Sequence, residues 1–217
     1  MSKIKGLIFD LDGVLVSTER NHFLAWKKTA EELNIEFNEN HNENLKGLSR
    51  KDSLSELLKI GNKSILPSAF NELLHLKNQY YLNSISNINN KDLLPGVNDF
   101  LKKTLNMGLS LAVGSSSKNA HFILEKTKIK RYFASIIDGN MVRKPKPDPE
   151  VFINASYGLN LNPANCLVFE DAKSGVEAAK SGLFKVVGVG NKNIQNECDY
   201  FVDNINEFDI EKHAKSI

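Results

Sequence analysis

The chain has 217 residues, with 28 Lys and Arg against 26 Asp and Glu and a formal charge of +2. It is long enough for one good core and a smaller second one, and it lacks the basic surplus that would imply nucleic acid. Cys166 and Cys198 are too few and too far apart for a disulfide scaffold or a zinc site. No apolar run approaches the roughly 20 residues of a membrane span, and Met1-Ser2-Lys3-Ile4-Lys5 is not followed by a signal-peptide core. The expectation is a soluble, cytoplasmic monomer with neither a membrane nor a nucleic-acid partner.

The first element is Gly6-Leu7-Ile8-Phe9, short and continuously apolar, which reads as a strand buried on both faces. Its C-terminal end delivers Asp10 and Asp12, which share a face in extended chain, and Gly13 lets the backbone turn away behind them. Two unit charges about 4 Å apart repel by roughly 4 kcal/mol at an effective dielectric of about 20, so such a pair needs a cation or a proton. A calcium loop is excluded because Val14 stands where an EF-hand needs an oxygen ligand; a plain acidic turn is the bland alternative.

Helical periodicity follows, over 18–33, 50–60 and 67–82. Ser17 or Thr18 can cap the first helix. Ser49, with Asp52 three residues on, caps the second, and Gly61 ends it. From Leu94-Pro95-Gly96 onward the pattern alternates: a helix through 105, a strand over 109–114, a helix from 118 and a strand over 134–137. Next come a helix from 149, a strand over 166–169, a helix through 180 stopped by Gly182, and a strand over 185–189. This alternation predicts an α/β fold, a Rossmann-like parallel sheet core (residues 1–15 and 94–217), interrupted after its first strand by an inserted helical domain (residues 16–93).

Ligands of open α/β sheets bind outside the carboxyl ends of the strands, so those ends read together as one site. Ser115-Ser116-Ser117-Lys118-Asn119 leads into a helix, as a phosphate cradle does and as an ordinary helix cap also does. Glu170-Asp171 supplies a second acid pair or merely an acidic first turn. Arg143-Lys144-Pro145-Lys146-Pro147-Asp148 is a stiff loop bearing lysines. Jointly these ends offer acids for Mg²⁺, hydroxyls and amides for phosphoryl oxygens, and an ammonium, the requirements of phosphoryl transfer. No Walker sequence is present, so a nucleotide-dependent kinase is not supported. Asp10 is then a candidate nucleophile.

Asp10-Leu11-Asp12-Gly13-Val14, Ser115, Lys144 and Glu170-Asp171 resemble the four motifs of the haloacid dehalogenase superfamily of phosphotransferases. The insertion's His22-Phe23-x-Ala25-Trp26, Leu45-Lys46-Gly47-Leu48-Ser49-Arg50-x-Asp52-Ser53-Leu54 and Lys77-Asn78, with Ser115-x-Ser117-Lys118-Asn119, resemble its β-phosphoglucomutase branch. That resemblance implies an Asp10 nucleophile and an Asp12 general acid/base. It also implies one Mg²⁺ held by the Asp10 carboxylate, the Asp12 main-chain carbonyl and Asp171 with support from Glu170, and Ser115 and Lys144 on the transferring phosphoryl group. Lys144 is taken as the motif lysine and Lys146 as an additional cation. The implied substrate contacts are Thr18, His22 and Trp26 from the first helix, Leu45, Gly47, Leu48 and Ser49 from the following loop, and Arg50, Ser53 and Lys77 from the later helices. The core adds Ser115, Ser116, Ser117, Lys118 and Asn119. Read without the resemblance, Trp26 can equally be core and His22 a satisfied polar residue. The implied reaction interconverts β-glucose 1-phosphate and glucose 6-phosphate through β-glucose 1,6-bisphosphate. A sugar phosphatase on the same fold is the alternative, and a catalytically silent sugar-phosphate binder is a more distant one. Ser17 stands where relatives usually carry an acid.

Overall fold

The computed structural model describes residues 4–214. Six parallel strands, β1 (Gly6–Phe9), β2 (Ser110–Gly114), β3 (Ser135–Ile137), β4 (Cys166–Glu170), β5 (Lys185–Val189) and β6 (Tyr200–Val202), form one sheet in the order β3-β2-β1-β4-β5-β6. β1 is paired on both sides, Phe9 standing opposite Val113 of β2 and Phe169 of β4. The order reverses at β1, which makes the carboxyl end of that strand the topological switch point where a crevice opens.

Strand periodicity sorts the core. Leu7 and Phe9 point to one face of the sheet, where Phe9 stacks on Phe169 with ring centroids 4.9 Å apart and meets Phe100 edge-on at 6.3 Å. Ile8 points to the other face and packs with Ala112, Phe152 and Val168. Helices α5 (Val97–Asn106), α6 (Ala120–Lys126), α7 (Glu150–Gly158), α8 (Lys173–Ser181) and α9 (Ile210–Ala214) alternate with the later strands.

Between β1 and α5 lie the helices of the insertion: α1 (Glu19–Glu32), α2 (Glu39–Glu43), α3 (Arg50–Ile60) and α4 (Pro67–Ser84). They have their own apolar cluster, including Trp26, Ala30, Ile35, Phe37, Leu54 and Leu57, and α1 lies along α4. The chain enters and leaves this insertion through two adjacent segments. Ser17 N–H donates to Asp92 O (2.9 Å), Leu94 N–H donates to Leu15 O (3.0 Å), and Val16 bridges antiparallel to Leu93.

The structure departs from the sequence expectations at particular places. Ser49 caps α3 as expected, its hydroxyl accepting from Asp52 N–H, but Thr18 takes the N-cap position of α1 without a capping bond. Its hydroxyl is drawn to Asp12 instead. Gly61 and Gly182 follow α3 and α8, yet both have φ of −84°. The left-handed residues that turn the chain are Asn62 (φ 48°) and Leu183 (φ 64°). The glycines answer to space: a Cβ on Gly61 would lie 2.5 Å from Ile35, and one on Gly182 would lie 2.8 Å from Phe184. Helix α2, absent from the expectation, buries none of its residues; it rests on a capping box in which Asn38 Oδ1 accepts from His41 N–H at 3.0 Å. Strand β6 is three half-buried residues at the sheet edge, with no apolar alternation to announce it. Among the described residues no helix is long and apolar enough to cross a membrane.

Candidate active site

Asp10 follows the last residue of β1, and its N–H donates to Phe169 O (3.0 Å), so the carboxylate leaves the sheet at the switch point. The turn that brings Asp12 beside it requires Gly13. With φ of +85°, a Cβ there would lie 2.2 Å from an Asp171 oxygen. Asp171, at the end of β4, therefore converges on the same space from the neighbouring strand.

The lysine at this cluster is Lys146. Its Nζ lies 2.5 Å from Asp10 Oδ1 and 2.5 Å from Glu170 Oε1, and the side chain is fully buried. Lys144, expected there, is 75% exposed and reaches only Asp148, at 3.6 Å. The correction has a reason in the sequence. Lys-Pro-x-Pro-acid occurs in two overlapping frames, Lys144-Pro145-Lys146-Pro147-Asp148 and Lys146-Pro147-Asp148-Pro149-Glu150. The second frame ends on Glu150, the first residue of α7, whose carboxylate accepts from Arg143 N–H (3.1 Å) and Lys144 N–H (2.8 Å). That pin draws the early loop back over the helix start. The lysine of the second frame is the one that packs on α7, its ammonium 4.6 Å from the Phe152 ring centroid.

Glu170 is fully buried behind Lys146. Its second oxygen accepts from Asp171 N–H and Ala172 N–H, both at 2.9 Å. It therefore orients the lysine and the following turn, with both of its oxygens engaged. Burial opposes a charge on Lys146, but Asp10 and Glu170 outweigh it and raise its pKa. Burial, reinforced by Glu170 and restrained by Lys146, pushes Asp10 up to about 6. Burial and then the Asp10 charge push Asp12 up to about 7. Burial, Glu170 and Asp10 hold Asp171 well above the usual carboxylate range.

Facing the acids is the helical insertion. Thr18 Oγ1 donates to Asp12, and His22 Nε2 stands 3.8 Å from the other Asp12 oxygen. His22 Nδ1 is 2.8 Å from Lys77 Nζ. Burial, then Lys77 and Arg50, keep His22 far below its ordinary pKa, so the imidazole is neutral. Burial and Arg50 bring Lys77 down to about 7, against the pull of Asp12. The Lys77 ammonium lies over the Trp26 ring, 4.8 Å from its centroid. From the core, Ser115 and Ser117 fold the loop after β2 by accepting from Ser117 N–H (3.1 Å) and Asn119 N–H (3.2 Å). Asn119 crosses to Asn78 of α4 at 3.0 Å.

Most of these groups line one cavity of about 810 Å³, counting its open mouth. Of the expected residues it gathers Asp10, Asp12, Asp171, His22, Trp26, Leu45, Gly47, Leu48, Arg50, Ser53, Lys77 and all five from Ser115 to Asn119. Four lie off the lining. Thr18 stands behind Asp12, Ser49 caps α3, Glu170 stands behind Lys146, and Lys144 is in solvent. The lining adds Glu19, Asn42 and Lys46, which the sequence did not single out.

The donor chemistry suits a hard divalent cation. Asp10 and Asp171 are crowded carboxylates, and the Asp10 charge helps to raise the pKa of Asp171. Among the described residues no three His, Cys, Asp or Glu side chains are arranged to hold a metal. A set of two carboxylates completed by main-chain and phosphate oxygens is the kind Mg²⁺ takes.

Comparison with known proteins follows the same lines. The family model described as haloacid dehalogenase-like hydrolase matches residues 7–189. The chain is 41% identical over 189 residues to a β-phosphoglucomutase of Bacillus subtilis, covering 86% of this chain and 84% of that one. It is 31% identical over 189 residues to a phosphorylated carbohydrates phosphatase of Thermotoga maritima, covering 86% and 85%. A crystal structure of a β-phosphoglucomutase from Clostridium difficile superposes with a TM-score of 0.92 at 36% identity, over 96% of this chain and 95% of the other.

Proposed function

The chain belongs to the haloacid dehalogenase-like hydrolases, and from that premise we propose that it is a β-phosphoglucomutase. In this reading it interconverts β-D-glucose 1-phosphate and β-D-glucose 6-phosphate through phospho-Asp10 and β-glucose 1,6-bisphosphate. One observation carries the reading: a single cavity joins Asp10 and Asp12 to Arg50, His22 and Lys77 of the insertion. A hexose bisphosphate needs one such site for the reacting phosphate and a cation some distance away for the other.

The chemistry follows from the residues. The Asp10 carboxylate attacks phosphorus and the bond to the sugar oxygen breaks. Asp12, held near 7 and hydrogen-bonded by Thr18, gives its proton to that leaving oxygen. In the second half it takes a proton from the sugar hydroxyl that attacks phospho-Asp10. Lys146 offsets charge on Asp10 and on the phosphoryl oxygens, with Ser115 as a further donor. Mg²⁺ bound by Asp10, Asp171 and the Asp12 carbonyl would supply the remaining neutralisation of phosphoryl charge. Arg50, with Ser117 and Asn119, holds the distal phosphate, and His22, Trp26 and Lys77 meet the sugar.

Phosphorus NMR of the protein with β-glucose 1-phosphate, Mg²⁺ and a trace of bisphosphate tests the reading. Glucose 6-phosphate is the expected product. Free glucose and inorganic phosphate alone, with or without bisphosphate, would overturn it in favour of a phosphatase.

A further inference from the structure

The segment between α2 and α3 does more than line the cavity. Two successive main-chain carbonyls in it are held by hydroxyls from opposite sides of β1. Ser116, after β2, donates to Gly47 O at 2.9 Å, and Ser174, in the first turn of α8 after β4, donates to Lys46 O at 3.4 Å. Since β2 and β4 flank β1, the segment forms a strap across the strand end that carries Asp10.

The contact is also steric. Gly47 has φ of +73°, and a Cβ there would lie 2.3 Å from Ser174 Oγ and 2.9 Å from Ala172 Cβ. Both neighbours are small and nearly buried. Gly47 is thus seated directly on Ala172 and Ser174, immediately beyond Asp171.

We propose that this seat, formed by Ala172 and Ser174 beneath Gly47, determines which nucleophile reaches phospho-Asp10. The inference rests on the transfer reading given above. With the strap seated, the sugar hydroxyl is the oxygen that attacks phosphorus; the P–O bond to Asp10 breaks and Asp12 takes the hydroxyl proton. With it unseated, water attacks the same phosphorus, the same bond breaks, Asp12 takes a proton from water, and inorganic phosphate leaves. Ser174 and Ala172 are therefore specificity-determining positions that lie off the cavity lining.

The test is Ser174→Val, which fills the seat from below, beside Ser174→Ala, which removes the hydroxyl and keeps the room. The ratio of inorganic phosphate to glucose 6-phosphate formed from β-glucose 1-phosphate is expected to rise about tenfold or more in Ser174→Val, equivalent to ~1.4 kcal/mol between the two barriers. Ser174→Ala should give a smaller rise, and Gly47→Ala should match Ser174→Val should the latter fail to fold. The second readout is acrylamide quenching of Trp26, the single tryptophan and a nearly buried lining residue; it should increase severalfold in Ser174→Val whatever the reaction catalysed. A folded Ser174→Val with unchanged product ratio and unchanged quenching would overturn the seat. A wild-type protein that makes only inorganic phosphate would overturn the mutase reading instead, and Trp26 quenching would then decide the seat alone.

Discussion

Lys146 carries its charge where water does not reach, and it keeps that charge because two carboxylates lie 2.5 Å away. Removing the lysine leaves both acids buried and uncompensated, at a cost of about 3–5 kcal/mol. Lys146→Met is accordingly expected to lower the unfolding free energy by about that amount in urea titrations and to cut kcat by roughly 10²–10³. Lys144→Met should leave both unchanged, since its head is in solvent. Lys77 behaves oppositely, because its folded pKa is depressed to about 7. Between there and the ordinary lysine value the unfolded chain binds a proton that the folded one does not, so the lysine's contribution to stability rises with pH across that window. Lys77→Met should therefore be more stable than wild type at pH 7, by about 2 kcal/mol, and the advantage should shrink towards pH 10. Thermal unfolding of both proteins at the two pH values checks the sign.

Helix ends show how the elements are terminated. After α8, Leu183 N–H bonds to Lys180 O and Phe184 N–H to Ala179 O, the Schellman pattern, and the left-handed position falls on Leu183, which is 82% exposed. A leucine there bears about 1 kcal/mol of backbone strain and buries nothing. Leu183→Gly should raise Tm by a few degrees, equivalent to ~1 kcal/mol, and leave turnover alone. The example also marks the reach of sequence reading. Gly182 looks in sequence like a stop because glycine follows helices, whereas it clears Phe184 and the turn is made one residue later. Elements with strong apolar periodicity, such as α3 or β5, were legible because burial alone decides them. Helix α2 and strand β6 bury too little to leave a pattern. The clustered acids are legible because they end an apolar strand, whereas the buried lysine is ambiguous because two overlapping frames both satisfy its motif.

Across the whole molecule, Lys146 apart, stability and chemistry are carried by different groups that are neighbours in the chain. Phe9 stacks on Phe169 and meets Phe100 and Phe133 edge-on, so the sheet and one helical layer close on it. Asp10, one residue on, is turned into the cavity and held by Lys146. Phe9→Ala removes a fully buried ring and is expected to cost about 3–5 kcal/mol, seen as a large drop in urea midpoint. Asp10→Ala removes no packing and spares Lys146 its second acid while Glu170 still holds it. That variant should keep its circular dichroism spectrum and unfold cooperatively while losing both phosphoryl transfer and hydrolysis. Turnover persisting in Asp10→Ala would remove this aspartate from the reaction. A wild-type protein that binds the sugar phosphate without turning it over would reduce the cavity to a binding site, and the pairing of Asp10 with Asp12 would then serve charge alone.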